Sequence, residues 1–430
     1  MSTFDNILPA IQSILHDHAA ALPEIGDLII NRDLNGRVRL IAQESTRENQ
    51  QAMQALGGIS KALLERLGNH AYPLDRAILF EDNLKIIYEG ATKFKLAGFD
   101  KVQIIDRLAS EGDWARISAE SVGSPRIVFF SIKGGVGRST ALAASAWSLA
   151  QIGKRVLVID LDLESPGLSS ALLPEDRRPT YGITDWLVED LVNNSDSVFS
   201  EMIATSELSY DGEIYVVPAH GREPGEYVAK LGRAWMPKIS EDGKREAWSQ
   251  RLARLIQALE NKLKPDVILL DSRAGIDEIA SSCIADLSAN LVLLFAIDGE
   301  QTWAGYRILF NHWRRYGVAH DIRERLQTVG AMIPELGTAE YFDSLCEHSY
   351  DLHSETLYDE IAPGELIADG WHFDVSDDSA PHYPWAIRWH RGFIGFRSLH
   401  LRLNSIDPQD VSAIFGDLID NMKRFVSQER

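Results

Sequence analysis

The chain has 430 residues, of which 45% are apolar and 25% charged, a composition typical of a soluble globular protein of two or three domains. Its formal net charge of −20 opposes binding to nucleic acid or to an anionic membrane, because both are polyanions. Two cysteines, Cys283 and Cys346, are too few for a disulfide framework or a four-cysteine metal site. The longest apolar run, 291–297, is too short to span a bilayer, and residues 1–5 do not resemble a signal peptide. We therefore expect a cytoplasmic protein.

The first region, residues 1–120, mixes helical and strand patterns and carries no motif to which we can assign a chemistry. The spacing of its apolar residues predicts helices over 4–21 and 46–67. Two apolar segments, 28–30 and 38–41, flank an Asn35-Gly36 turn and predict a β-hairpin. We expect a small α+β domain, followed by a linker over 120–125.

The main motif lies between a predicted strand over 127–131 and a predicted helix over 141–150. Strand, glycine-rich loop and helix form the context in which backbone N–H groups and the positive end of a helix dipole bind phosphate. We expect the phosphates to be held by residues 133–140, and Ser139 to place its hydroxyl on Mg²⁺. The residues of this loop are Lys133, Gly134, Gly135, Val136, Gly137, Arg138, Ser139 and Thr140. A glycine-rich turn without a ligand is the alternative, which this order of glycines, lysine and Ser-Thr disfavours.

This loop resembles the deviant Walker A loop of the MinD/ParA ATPases, a group within the SIMIBI class of P-loop NTPases. It is similar to the variant named for its Lys-Gly-Gly-Val-Gly-Arg motif, here residues 133–138. Ile132 stands where the usual P-loop has its first glycine. The resemblance implies that Arg138 contacts the β- and γ-phosphates of its own nucleotide. It also implies that Lys133 reaches the nucleotide of a second subunit, so that both side chains take part in catalysis.

The next predicted strand, 155–159, ends in Asp160-Leu161-Asp162. Two carboxylates at the carboxyl end of a strand, beside a triphosphate and Mg²⁺, suit in-line phosphoryl transfer. In the resembling family this is the switch I position, where Asp162 would orient the attacking water and Asp160 would support the Mg²⁺ shell. A pair of surface aspartates at a strand end is the alternative.

A further predicted strand, 265–271, ends in Asp271 and is similar to a Walker B strand, whose aspartate holds Mg²⁺ through a water molecule. The segment 272–276 that follows resembles the family's switch II, with Arg273 in place of proline. The resemblance implies that the backbone N–H of Gly275 contacts the γ-phosphate. Arg273 would either add positive charge to the site or pair with a nearby carboxylate.

Strands and helices alternate over 126–333, which predicts a doubly wound, mostly parallel α/β sheet for this P-loop NTPase domain. Further strands are predicted at 213–219, 291–296 and 328–333. The family contacts adenine just beyond the last of these. Because Met332-Ile333-Pro334 lacks the family's asparagine, the choice of ATP rests on the resemblance.

The last region, residues 334–430, is rich in aromatic residues and ends in an amphipathic helix over 411–426. Its aromatic and basic residues at 381–391 predict a lid over the nucleotide or an irregular packed core, with stacking on bases as the alternative. MinD anchors to membranes through such a helix. Here Asp410, Asp417 and Asp420 offset its basic residues, so we expect the helix to pack on the ATPase domain.

Together these features predict a slow, Mg²⁺-dependent ATPase that forms an ATP-dependent homodimer and signals to a partner protein through residues 1–120. Two alternatives remain open. Bacterial tyrosine kinases have a similar Asp-x-Asp followed by proline, here Pro166, but the tyrosine cluster in which they usually end is missing after Tyr383. The other alternative is a protein that binds nucleotide without turnover, because Arg138 replaces the phosphate-binding lysine.

Overall fold

The computed structural model describes residues 3–88, 91–108, 112–240, 242–359, 370–391, 403, 405 and 407–428. The chain divides into two units, Met1–Ser110 and Glu111–Arg430. The division lies upstream of the linker expected at 120–125, because the segment before that linker is bonded to the second unit. The backbone N–H of Ser118 donates to the carbonyl of Ala285 at 2.8 Å, and the Trp313 indole donates to the carbonyl of Trp114 at 2.9 Å.

The first unit is built on a five-stranded mixed sheet in the order β3-β2-β1-β5-β4. Its strands are β1 Leu28–Arg32, β2 Val38–Gln43, β3 Ile78–Glu81, β4 Thr92–Lys95 and β5 Val102–Asp106. Its helices are α1 Ile7–Asp17, α2 Leu22–Ile25, α3 Gln50–Leu67 and α4 Leu84–Ile87. The antiparallel pairing of β1 with β2 confirms the predicted hairpin. Its turn is closed by Asp33, whose side chain accepts hydrogen bonds from the backbone N–H groups of Asn35 and Arg37 at 2.9 and 2.8 Å.

Helix α3 begins later than the sequence pattern predicts. Its first residue is Gln50, because the Asn49 side chain accepts hydrogen bonds from the backbone N–H groups of Gln51 and Ala52 at 3.0 and 3.2 Å. The buried side chains of α1 and α3 share one apolar core with alternate residues of β1, β2 and β5. The first unit is therefore an α+β domain with its own core.

The second unit is an eight-stranded sheet in the order β15-β14-β13-β6-β12-β7-β9-β8. All its neighbouring strands are parallel except β8 and β9. Its strands are β6 Arg126–Ser131, β7 Arg155–Asp160, β8 Ala204–Thr205, β9 Glu213–Val217, β12 Val267–Ala274, β13 Leu291–Ala296, β14 Leu326–Ile333 and β15 Trp385–Arg388, with a separate hairpin of β10 Lys238–Ile239 and β11 Arg245–Glu246. The doubly wound, mostly parallel sheet predicted from the sequence is confirmed.

Helices pack on both faces of this sheet. They are α5 Arg138–Gln151, α6 Leu168–Leu172, α7 Ile183–Asp190, α8 Asp196–Phe199, α9 Tyr227–Ala234, α10 Trp248–Leu263, α11 Glu278–Ser281, α12 Glu300–Tyr316, α13 Ala319–Ile322, α14 Thr338–Thr356 and α15 Pro408–Ser427. Val128 and Phe130 of β6 face one apolar layer, whereas Ile127 and Phe129 face the other. Because β6 is buried on both sides, its residues 127–130 are apolar without alternation.

The C-terminal region contributes a strand that the sequence analysis missed. Residues 385–388, expected in a lid or an irregular core, form β15 and pair in parallel with β14. Helix α15 packs beside β15, and the backbone N–H of Ala386 donates to the Asp417 carboxylate at 2.6 Å. Two parts of the predicted extension, 360–369 and most of 392–406, lie outside the described residues. Within the described ranges, no helix is long and apolar enough to cross a membrane.

Candidate functional site

The predicted phosphate-binding loop connects the carboxyl end of β6 to the start of α5, and we call residues 132–137 the glycine loop. Gly135 and Gly137 have φ values of +76° and +81°, which residues with a side chain rarely adopt. A Cβ built at Gly134, Gly135 or Gly137 would have no heavy atom of the described residues within 4 Å. The space above the loop is therefore free, and a ligand can approach its backbone closely.

A cavity of about 500 Å³ lies over the glycine loop. Its lining residues are Ser131, Gly134, Gly135, Val136, Gly137, Arg138, Ser139, Thr140, Asp162, Ser165, Arg273 and Ala274. All the residues predicted between Gly134 and Thr140 to bind the cofactor thus face one space. Lys133 does not line the cavity. Its side chain is exposed, and within the described part of the chain it makes no hydrogen bond or ion pair.

The three predicted aspartates meet at the carboxyl ends of neighbouring strands. Asp160 of β7 and Asp271 of β12 are directly paired in the sheet, and each is only 1% exposed. Burial and the nearby charge of Asp271 raise the pKa of Asp160 well above its usual value. Asp160 accepts hydrogen bonds from the backbone N–H groups of Asp162 and Leu168, both at 3.2 Å. Asp160 therefore fixes the start of the loop that carries Asp162.

Asp162 has one carboxylate oxygen that is hydrogen-bonded and one that has no partner in the part of the chain that the structure describes. Its Oδ2 accepts a hydrogen bond from Arg138 at 3.1 Å. Its Oδ1 is buried and has no hydrogen-bond partner among the described residues. Burial raises the pKa of Asp162, while the positive charge of Arg138 acts in the opposite direction. A buried carboxylate oxygen without a partner is suited to accept a hydrogen bond from a ligand or a water molecule.

Arg138 lies between the carboxylates rather than above the glycine loop. Its Nε donates to Asp271 Oδ1 at 2.9 Å, its Nη1 to Ser131 Oγ at 3.0 Å and its Nη2 to Asp162 Oδ2 at 3.1 Å. The resemblance implied that this side chain contacts the phosphates, and its carboxylate partners were not predicted from the sequence. The replacement of lysine by arginine could have indicated these partners, because a planar guanidinium can donate hydrogen bonds to several oxygens at once.

The switch II segment follows a break in the strand pairing. The register between β12 and β6 shifts between Asp271 and Ala274, and the backbone N–H of Gly275 donates to the carbonyl of Ser131 at 2.9 Å. In this conformation that N–H is engaged within the protein, although it was expected to contact the γ-phosphate. Arg273 lines the cavity and pairs with Glu164 at 2.6 Å and Asp277 at 3.3 Å. It therefore links the switch I and switch II segments.

The oxygens of this site fit Mg²⁺ in its usual protein environment. Mg²⁺ is commonly held by one or two carboxylates together with water and substrate phosphates. The Ser139 hydroxyl and the partnerless oxygen of Asp162 supply such groups at the cavity, and Asp271 is hydrogen-bonded to Arg138 of the cavity lining. Among the described residues, no group of three His, Cys, Asp or Glu side chains is placed to hold a metal ion without further ligands. While Arg138 stays bonded to Asp162 and Asp271, a metal here would depend on oxygens of a bound nucleotide.

A second cavity of about 290 Å³ lies at the carboxyl ends of β14 and β15, where the sequence analysis expected the base. Its lining residues are Ile333, Pro334, Glu335, Thr338, Arg388, Trp389, His390, Ala413 and Ile414. The backbone N–H of Trp389 donates to the carbonyl of Ile333 at 2.8 Å, which ties the residues after β15 to the end of β14. Strand β15 thus brings an aromatic side chain to the edge of the sheet that carries the glycine loop.

Comparison with known proteins gives a match over the second unit. Residues 127–339, about half of the chain, match the family model described as the CobQ/CobB/MinD/ParA nucleotide binding domain. The putative arsenical pump-driving ATPase 1 of Aquifex aeolicus is 37% identical over 92 residues, which are 21% of this chain and 22% of that protein. This chain therefore spans about a fifth of the length of that relative.

Two solved structures are similar over most of their own length. The cell division ATPase MinD of Pyrococcus furiosus has a TM-score of 0.43 and 19% identity, covering 70% of this chain and 99% of that one. The septum site-determining protein MinD of Pyrococcus horikoshii, complexed with Mg-ADP, has a TM-score of 0.42 and 18% identity, covering 71% of this chain and 98% of that one. At these values the assignment of the second unit rests on the family model.

Proposed function

Because residues 127–339 belong to the CobQ/CobB/MinD/ParA family and form a MinD/ParA-like P-loop ATPase domain, we propose that this chain binds Mg²⁺-ATP above the glycine loop and hydrolyses it slowly. One observation supports this most strongly. The glycine loop, the Asp160–Asp162 pair and Asp271 come from three segments of the sequence, and parallel pairing of β6, β12 and β7 brings them together. Residues 134–138 and Asp162 line one cavity, while Asp160 is hydrogen-bonded to the backbone of Asp162 and Asp271 to Arg138.

In this proposal each group has one task. The N–H groups of residues 134–140 and the positive end of α5 bind the phosphates. Ser139, and Asp271 through a water molecule, hold Mg²⁺, which offsets the negative charge of the phosphates. Asp162 orients the attacking water with its partnerless oxygen. Asp160 keeps the loop that carries Asp162 in place.

The position of Arg138 supports slow turnover. To reach the phosphates, its guanidinium must give up the hydrogen bonds to Asp162 and Asp271. The same contacts favour a second candidate function, a protein that binds nucleotide without hydrolysing it, in which Asp162 stays bonded to Arg138. The rate of phosphate release decides between the two.

Exposed groups at the same edge of the sheet support a wider role. Lys133 is free to reach across to the nucleotide of a second copy. Ile276 after switch II is 44% exposed and Leu336 after β14 is 90% exposed, so two of the segments that follow these strands carry exposed apolar side chains. We propose that ATP drives two copies together through this edge and that the first unit passes the signal to a partner protein. The cavity beside Trp389 is the proposed site of the base.

The binding proposal is tested by calorimetric titration of ATP into the wild type and Gly135→Val. Valine at a φ of +76° is strained and fills the space above the loop, so affinity should fall by about tenfold or more. Gly153→Val is the matched control, because Gly153 has a φ of +80° but lies at the other end of α5. Equal ATP affinity in wild type and Gly135→Val would contradict the proposed site.

A further inference from the structure

Arg138 is the cation bonded to the carboxylates of the site. Three of its donors are used on Asp271, Asp162 and Ser131, and its side chain is 8% exposed. The other arginine of the cavity wall, Arg273, bonds to Glu164 and Asp277 instead. Within the described residues, the site carboxylates therefore depend on one side chain for a direct positive partner.

A guanidinium and a divalent metal compete for such carboxylates. Arginine keeps its charge over the whole accessible pH range, so its release requires another partner rather than deprotonation. Arg138 covers Asp271 Oδ1 and Asp162 Oδ2, one oxygen of each of the two carboxylates. A lysine would present its donors from a single point and could not span two strands and Ser131 in the same way.

We propose that Arg138 is a displaceable internal cation, which holds Asp162 and Asp271 in the empty site and keeps divalent metal away from them until nucleotide phosphates draw the guanidinium off. This inference rests on the proposed function and concerns the regulation of the same site. It has two consequences. Metal enters together with the nucleotide and not before it, and Asp162 becomes free to orient water only when the phosphates are in place.

The test measures Mn²⁺ binding to the full chain without nucleotide. The electron paramagnetic resonance signal of free Mn²⁺ is the readout. Arg138→Ala should bind Mn²⁺ about tenfold or more tightly than the wild type, because it leaves buried carboxylates without their cation. Arg138→Ala combined with Asp271→Asn should lose this gain. Arg273→Ala is the matched control, since it removes one charge from the same cavity but no bond to Asp162 or Asp271, and should leave the affinity close to that of the wild type.

Thermal unfolding gives a second readout if Arg138→Ala is less stable. Ligands that bind the folded state raise its melting temperature, so Mn²⁺ should restore several degrees to Arg138→Ala and change the wild type little. Equal Mn²⁺ affinity in wild type and Arg138→Ala, whether both bind or neither does, would overturn the inference. Failure of the proposed function is seen separately, as absence of ATP binding to the wild type in the calorimetric titration.

Discussion

At the scale of single residues, the two aspartates of the Asp-x-Asp sequence in switch I lie in different environments and have different roles. Asp160 is 1% exposed, and both its oxygens accept backbone N–H groups. Asp162 borders the cavity and keeps one oxygen without a partner in the described part of the chain. The first carboxylate therefore shapes the loop, while the second is the one that can act on a ligand.

Replacing Asp162 tests this division. Asp162→Asn keeps the shape of the side chain but removes its charge, so phosphate release from ATP should fall by about 100-fold or more. ATP affinity should stay within about threefold of the wild type, because the phosphates are held by the glycine loop. Asp176→Asn, at an exposed aspartate of the same unit, serves as the control. Phosphate release at the wild-type rate in Asp162→Asn would show that this carboxylate does not orient the water.

At the scale of elements, α15 is an amphipathic helix whose start is set by local residues and whose apolar face packs on the sheet. Asp407 accepts a hydrogen bond from the backbone N–H of Gln409 at 2.8 Å and Pro408 follows it, so the start of the helix is set locally. Its apolar face is buried in the same layer as α5 and Phe129. The bond between Asp417 and Ala386 adds a polar contact to β15.

The docking of α15 predicts a clear stability difference between its two faces. Leu418 is fully buried, so Leu418→Ala should lower the free energy of unfolding by about 2–5 kcal/mol. Asp420 is exposed on the same helix, and Asp420→Ala should change it by less than about 0.5 kcal/mol. Urea unfolding of the full chain measures both values. A Leu418→Ala variant as stable as Asp420→Ala would mean that the helix is not packed on the sheet in solution.

At the scale of the whole molecule, the parallel sheet directs the site to one edge of the second unit. The carboxyl ends of β6, β7, β12 and β14 all lie at this edge, and so do the glycine loop and both cavities. An exposed Lys133 at the same edge has no partner among the described residues. A second copy that faces this edge would place its own Lys133 near the nucleotide.

This arrangement predicts a dimer that requires both ATP and Lys133. Sedimentation with a non-hydrolysable ATP analogue should show a dimer for the wild type and a monomer for Lys133→Ala, because the lysine neutralises phosphate charge across the interface. Lys154→Ala is the control, since Lys154 precedes β7 at the opposite edge of the sheet. A wild type that stays monomeric, or a dimer unaffected by Lys133→Ala, would rule out this mode of association.

The sequence by itself determined the elements whose causes are local. The apolar run of β6, the glycines of the loop and the start of α5 lie within fifteen consecutive residues, so this strand-loop-helix unit is recognisable from a short stretch of sequence. The hairpin of β1 and β2 likewise depends on a short turn. The meeting of Asp160 and Asp271 also followed from the sequence. Carboxyl ends of parallel strands share an edge, so two strand-ending aspartates are brought together once the strands are recognised.

Only the tertiary structure decided which groups the side chains and backbone of the site contact. Arg138 and Asp271 are 133 residues apart, and their hydrogen bond exists because β6 and β12 are neighbours in the sheet. The bond from Gly275 to Ser131 depends on the same pairing and on a shift of register within it. Strand β15 has four residues and forms because β14 and α15 offer it partners. Contacts between distant segments depend on how the strands are arranged, and that arrangement is not encoded in any one stretch of the chain.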